Sequence, residues 1–290
     1  MQAGAPQMSV TCHACRAGRC LPYATVDGYH LYRCGTCGLI FVYPLPASIR
    51  DVYEEDYFEG ATEGHGYVSY DADKEPMVSA FEKYLAYIAA VLPSKGRLLD
   101  VGAATGFFVE IAQKRGFDAS GIELSDYAAS RGRSKGLSIQ TGVIDDISGS
   151  FDAITMLDVI EHVPDPRATL SKAASLLSPR GVLVINTPDA DSLVARLLGR
   201  RWHAILPPEH LYYFDRKNMR SLLEETGFEV VLVKTIGKWF TIKYIFKTLH
   251  QSTRMNFFLK VSSLCSGWPL SKISIPINLY DSMFVLARKK

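Results

Sequence analysis

LLDVGAATGFFVEIA, residues 98–112, is the stretch on which the rest of the chain turns. Leu98, Leu99 and Val101 form the apolar run of a buried strand, expected over Arg97–Val101, with Asp100 near its end. The loop Gly102-Ala103-Ala104-Thr105-Gly106 follows, then a helix expected over Thr105–Arg115. Glycines in such a loop let a ligand approach the backbone closely. A second strand, Ala119–Glu123, ends on a carboxylate that can accept hydrogen bonds from both hydroxyls of a ribose. The unit therefore binds a nucleoside, and the loop narrows which kind. A dinucleotide fingerprint would place glycine at positions 104 and 107, where this chain has Ala104 and Phe107. In that fingerprint the last glycine allows close helix–strand packing beneath a pyrophosphate. Asp100 is a poor neighbour for an anionic phosphate and a good one for a cationic ligand. No Walker A loop occurs.

Outward from this unit, strands and helices alternate. Helices are expected over Tyr127–Lys135 and Pro166–Leu177, and strands over Phe151–Leu157 and Gly181–Asn186. This interval gives an α/β fold with a parallel sheet covered on both faces and ligands at the carboxyl ends of the strands. Upstream, Met77, Phe81, Leu85, Ile88 and Leu92 recur at helical spacing, and Pro93 stops that helix. Downstream, NMRSLLEETGF (218–228) is a helix closed by Gly227, EVVLVKTI (229–236) a strand, and SMFVLARKK (282–290) a last strand. Between these strands, about 238–275, aromatic and aliphatic residues interleave with Lys and Arg. That insertion suits an amphipathic cap, a homodimer contact, or a peripheral membrane contact receiving a lipid-linked substrate.

The amino-terminal part carries Cys12-x2-Cys15 and Cys34-x2-Cys37, the spacing of a zinc ribbon. Each CxxC turn points two thiolates at one metal, and two turns complete a tetrahedron. Gly35 and Gly38 can supply the positive φ of a tight knuckle. Asp27-Gly28 is the turn of a hairpin between the pairs. His13 and Cys20 break the paired spacing, and Cys265 reads as a buried thiol. Four thiolates leave no open position, so the site is structural, and so small a segment needs its metal to fold. Scattered reduced thiols are the plain alternative. FVYPLPASIRDVYEED (41–56) reads as an exit linker, and Tyr53–Asp73 as loop with short helices.

LLDVGAATGFF, GIELS (121–125) and FDAITMLDVIEHVPDP (151–166) resemble the class I S-adenosylmethionine (SAM)-dependent methyltransferases. The resemblance is to the branch with ubiquinone-type O-methyltransferases and many sugar and cell-surface methyltransferases, which often carries an amino-terminal CxxC…CxxC ribbon. It implies a Rossmann-like, doubly wound, mostly parallel seven-stranded sheet. It implies that Asp100, Gly102 and Gly106 hold the methionine part of SAM, with Ala103, Phe107 and Leu157 also at the cofactor. Glu123 would take the ribose and Leu124 an adenine face. Relatives carry Gly-Asp where this chain has Gly142-Val143, so Asp145, Asp146 or a backbone N–H would take over adenine recognition. The resulting division is tail and ribbon (1–45), linker and helical cap (46–95), and SAM-binding domain (96–290) with a lid at about 188–216.

Two histidines are candidates for chemistry. His210, in WHAILPPEHLYYF (202–214), is the first choice as general base, against a purely structural bond from lid to core. His162, in Asp158-x-x-Glu161-His162, is the second. Related quinone O-methyltransferases hold a divalent metal with such a string, so Asp158, Glu161 and His162 could bind Mg²⁺ or Zn²⁺; metal-free relatives carry nearly the same residues. The expected activity is methyl transfer to a small-molecule hydroxyl, on a sugar, quinone or similar metabolite, free or carrier-linked. C- or N-methylation, and a ribbon-bearing binding protein with an inactive SAM fold, are the alternatives. A formal charge of +2 over 290 residues argues against nucleic acid as a partner. Asn186-Thr187-Pro188-Asp189 does not match the Asn/Asp-Pro-Pro-Tyr motif of amine methylation in macromolecules. MQAGAPQMSV lacks the regions of a signal peptide and reads as a mobile tail, and the expected location is cytoplasmic.

Overall fold

Asp27 and Gly28 both adopt positive φ, 48° and 85°. This is the backbone of a two-residue type I′ turn, whose twist matches that of its strands. The turn joins β1 (Cys20–Val26) to β2 (Tyr29–Cys34) in an antiparallel ladder. The computed structural model describes residues 10–46, 77–236, 238–241, 257, 274–277 and 280–290. Residues 1–9 of the expected ten-residue tail, the Tyr53–Asp73 stretch, Cys265 and most of the 238–275 insertion lie outside the described residues, and with them the membrane and dimer expectations; Val10, the tenth, is buried in the core instead of mobile.

The exit linker is corrected at its start. Ile40, Phe41 and Val42 form β3 (Ile40–Val42), and all three side chains are buried. β3 pairs with β2 on one side and, on the other, with β9 (Tyr212–Tyr213), from the segment expected to be a lid. Strands of three and two residues are too short for alternation to show. The ribbon hairpin thus grows into a four-stranded sheet, β1-β2-β3-β9, rooted in the larger domain.

α1 (Val78–Val91) buries Phe81, Tyr84, Leu85 and Ile88 on one face. Then follow β4 (Arg97–Val101), α2 (Phe107–Lys114), β5 (Asp118–Glu123), α3 (Asp126–Ser134), β6 (Ile139–Thr141), β7 (Phe151–Leu157), α4 (Pro166–Leu176), β8 (Leu177–Pro188), α5 (Leu193–Leu198), α6 (Arg216–Glu225) and β10 (Phe228–Lys234). A small antiparallel pair, β11 (Lys238–Thr241) with β12 (Ser274–Ile277), precedes β13 (Ser282–Lys289). The main sheet has the order β10-β13-β8-β7-β4-β5-β6. β13 runs antiparallel to both β10 and β8, and the pairs from β8 to β6 are parallel. The doubly wound, mostly parallel seven-stranded sheet is borne out, with the reversed strand placed between β10 and β8. β8 extends beyond the expected Gly181–Asn186 because it is paired along its length, by β13 up to Pro188 and by β7 back to Leu177.

Both faces are apolar, as the β4 sequence requires. Leu98 packs with Phe81, Leu85, Val109 and Ala112 on the α1–α2 side. Leu99 packs with Ile154, Ile185, Leu170 and Met219 on the α4–α6 side. Cys12, Cys34, Leu39 and Phe41 of the ribbon belong to that second cluster, so ribbon and sheet share one core. Among the described residues, no helix is long and apolar enough to cross a membrane.

Candidate functional site

The chain winds from β4 outward to β6, then returns to β7 on the other side of β4. The crevice at the carboxyl ends of β4 and β7 is therefore the switch point where such sheets bind ligands. A pocket lies there. Asp100, Gly102, Ala103, Phe107 and Leu157, all expected at the cofactor, line it, joined by Phe81, Phe108 and Asp158. Asp100 is buried, and the Thr155 hydroxyl donates to its Oδ1 at 2.5 Å. Gly102 has φ +73°, and a Cβ there would lie 2.5 Å from Val159 Cγ2, so no other residue fits without displacement.

Both carboxylate oxygens of Glu123 are engaged by backbone N–H groups. Its Oε2 accepts the Ala104 N–H at 2.8 Å and its Oε1 the Ser125 N–H at 2.9 Å. The carboxylate thereby ties the β4–α2 loop to the end of β5, and Gly102 and Ala103 N–H groups reinforce the tie by donating to Ile122 O. Burial pushes the Glu123 carboxyl above its usual range, and the backbone N–H groups oppose that shift.

Gly106, also expected at the cofactor, is not among the residues lining this pocket. It stands at the N-cap of α2 with φ +78°, its N–H is turned inward to Ala103 O, and its Cβ direction meets Leu137 Cδ1 at 2.5 Å. It turns the chain and admits close packing, and Thr105 and Gly106 accordingly belong to the loop instead of the helix. Leu124 is half-buried beside Glu123. Asp145 is exposed, whereas Asp146 Oδ2 is engaged by the Val143 N–H at 2.9 Å.

Beyond β7 the string Asp158–His162 divides. Asp158 has φ +57°, its N–H donates to Asn186 O, and its Oδ1 accepts from Asn186 Nδ2 at 2.6 Å. Tyr84 OH in turn donates to Asn186 Oδ1 at 3.1 Å. Asp158 is thus held on the wall of that pocket. Glu161 and His162 point elsewhere and meet His210: ligand atoms of these three lie within 4.8 Å of one another. The set expected to hold a metal, Asp158 with Glu161 and His162, is therefore not the one assembled. His210 stands in that set in place of Asp158, whose charge still acts on both Glu161 and His162.

His162 Nδ1–H donates to Glu209 O and His210 Nδ1–H to Ala204 O, each at 2.7 Å. Both Nε2 atoms are then acceptors, and the rings meet edge to face with centroids 4.7 Å apart. Burial lowers both histidines, His162 to about 4. Glu161 is 1% exposed and neither oxygen has a hydrogen-bond partner among the described residues. Burial raises it to about 7. The N–H groups of Leu211 and Tyr212 both reach Glu161 O, fixing the His210 segment to the end of β7.

In the ribbon, Cys12, Cys15, Cys34 and Cys37 converge, their Sγ atoms within 4.8 Å of one another. Cys12 and Cys37 Sγ lie 3.7 Å apart, and Cys15 and Cys34 Sγ 3.5 Å apart. A tetrahedral zinc with Zn–S of ~2.3 Å requires S···S edges of about 3.8 Å, so the donor set fits. Thr36 and Cys37 N–H groups point at Cys34 Sγ, which is the knuckle geometry. Gly38 has the expected positive φ, but in the first knuckle Arg16 takes it, at 60°. Gly35 matters for space instead: a Cβ would lie 3.1 Å from Arg19 O. The module is anchored by Arg167, whose guanidinium donates to Ala14 O, and by His13, which bonds Tyr212 OH at 2.5 Å.

This fold and pocket define a Rossmann-like nucleoside-binding domain of the class I methyltransferase type. A family model described as a methyltransferase domain matches residues 74–233, and the chain belongs to that family. It is 32% identical over 161 residues to a ubiquinone biosynthesis O-methyltransferase of Xanthomonas axonopodis pv. citri, covering 50% of this chain and 66% of that one. A ubiquinone biosynthesis O-methyltransferase of Xanthomonas oryzae pv. oryzae is 34% identical over 155 residues, covering 46% of this chain and 65% of that one. The chain thus spans less than two thirds of the length of these relatives. Among solved structures, a magnesium protoporphyrin IX methyltransferase of Synechocystis PCC 6803 with bound S-adenosylhomocysteine shares the fold. Its TM-score is 0.52 at 15% identity, covering 83% of this chain and 92% of that one. A SAM-dependent methyltransferase from Archaeoglobus fulgidus gives a TM-score of 0.51 at 16% identity, covering 74% of this chain and 94% of that one.

Proposed function

We propose that this chain is a SAM-dependent methyltransferase acting on a hydroxyl of a small-molecule acceptor, such as a quinol or a sugar. The observation that carries the reading is the pairing of two buried carboxylates, Asp100 and Glu123, at the ends of adjacent parallel strands around a glycine loop. Glu123 suits a ribose, and Asp100 suits the cationic methionine part. SAM supplies a methyl group already activated by its sulfonium. The chain's own task is to align the acceptor, exclude water and take a proton from the hydroxyl. His210, whose Nε2 burial keeps unprotonated at neutral pH, is the base in this reading, with His162 and Glu161 beside it. The printed names of the Xanthomonas relatives favour oxygen as the methylated atom. The four ribbon cysteines hold a structural zinc.

Calorimetry with SAM tests the reading. Wild-type protein should bind it, and Glu123→Gln should weaken binding about 10- to 100-fold. A hydrogen bond to a charged group is worth about 1.5–3 kcal/mol, and ~1.4 kcal/mol is tenfold. Wild-type protein that does not bind SAM would end the proposal. A screen with methyl-labelled SAM against quinols, catechols and sugar derivatives then identifies the acceptor.

A second reading is carried by the unpartnered oxygens of buried Glu161. With one nitrogen each from His162 and His210, they form a set that suits a divalent transition metal. On this reading, activity falls in chelator and returns with a divalent ion while the ribbon keeps its zinc. Activity indifferent to chelator, with ribbon zinc measured and intact, removes it.

A further inference from the structure

Cys20 is a fifth thiol at the edge of the cysteine cluster, outside the four that form it. β1 and β2 set it directly opposite Cys34. The neighbouring hydrogen bonds define what kind of pair this is. Gly35 N–H donates to Arg19 O at 2.7 Å, and Cys34 N–H is engaged by Leu39 O at 2.9 Å. Bonded and non-bonded pairs alternate along an antiparallel ladder, so a bonded Arg19–Gly35 pair makes Cys20–Cys34 a non-hydrogen-bonded one. Such pairs approach most closely, with Cα atoms about 4.5 Å apart. A disulfide accepts Cα separations of about 4.4–6.8 Å. The ladder is tight here, since a side chain at Gly35 would press on Arg19 O. Cys20 is half-buried and its Sγ reaches Ala17 O at 3.7 Å, inside the first knuckle loop. Cys34 is 2% exposed.

We propose that Cys20 and Cys34 form a peroxide-sensitive disulfide site whose closure withdraws Cys34 from the four-thiolate zinc site; this rests on the zinc reading above. The Cys34 thiolate attacks one oxygen of hydrogen peroxide, the O–O bond breaks, and hydroxide leaves. The Cys20 thiol then attacks the Cys34 sulfenic sulfur. The S–S bond forms, the S–O bond breaks, and water leaves with the Cys20 proton. Two sulfurs give up two electrons and the peroxide accepts them. Three thiolates remain for zinc. The effect has a path to the candidate histidines. β2 adjoins β3, Val42 N–H of β3 donates to Leu211 O at 2.9 Å, and Leu211 follows His210.

The test uses the full-length, zinc-loaded protein and a small molar excess of hydrogen peroxide. Zinc release is followed with a chromogenic chelator, and disulfides are mapped by peptide mass after free thiols are blocked. The expected first product is a Cys20–Cys34 linked peptide, appearing in step with zinc. Cys20→Ser should be purified with its zinc and release it about tenfold more slowly. First disulfides confined to Cys12–Cys15 or Cys34–Cys37, or zinc lost from Cys20→Ser at the wild-type rate, overturn the proposal. Protein purified without zinc overturns the zinc reading alone, because disulfide mapping on that protein still decides whether Cys20 and Cys34 bridge.

Discussion

Cys34→Ser should leave the protein without ribbon zinc and lower its Tm by on the order of 10 °C. The side chain is 2% exposed, contacts Cys15 Sγ, and accepts N–H groups from Thr36 and Cys37. A hydroxyl is a poor zinc ligand beside three thiolates. Structural zinc contributes about 10–16 kcal/mol of folding free energy in small modules, comparable to the roughly 5–15 kcal/mol stability of a whole domain. The loss cannot stay local. Cys12, Cys34, Leu39 and Phe41 pack in the same cluster as Leu211, Tyr212, Phe214 and Met219. Even about 4 kcal/mol passed on to the larger domain lowers Tm by roughly 10 °C. Metal analysis and scanning calorimetry measure both effects. Cys20→Ser is the control and should keep its zinc and stay within a few degrees of wild type. Equal damage in both variants would place the effect in packing, not in metal.

The parts of this molecule that the sequence displays are those where one residue type has one physical use. The run Leu98–Val101 with its glycine loop, and the alternation after it, required a covered parallel sheet. Two CxxC pairs and Asp27-Gly28 required a knuckled hairpin. What stayed hidden depends on contacts between distant positions. β3 is held by β2 and β9, β9 pairs with β3, and neither has enough residues to show a period. The backbone at Arg16, Ala104 and Asp158 is left-handed without glycine, and residue type gives no warning of it. Of the string Asp158–His162, Asp158 lines the pocket at the end of β4, and Glu161 and His162 group with His210. His210, His162 and Glu161 were each identifiable as candidates. That His210 meets the other two was not, because the two segments lie far apart in sequence.

His210→Asn is the second large effect, an expected 10²- to 10⁴-fold loss of kcat on the acceptor found in the screen, as for loss of a general base. Asparagine is the informative replacement. Its amide can still donate to Ala204 O, as His210 Nδ1–H does at 2.7 Å, so the segment keeps its anchor. What it lacks is the acceptor at Nε2. SAM affinity should change by less than about twofold, because His210 is not among the residues lining the pocket proposed for SAM. The pH profile supplies a second readout. Burial lowers His210, and a base works in its unprotonated form. kcat/KM should therefore rise with pH through an apparent midpoint below 6.5, the usual histidine value, and hold level through neutrality. His210→Asn should lose that rising limb along with the rate. A kcat within threefold of wild type, or a variant that keeps the wild-type limb, would move the base elsewhere. Asp158, held on the pocket wall by Asn186, is then the next group to replace.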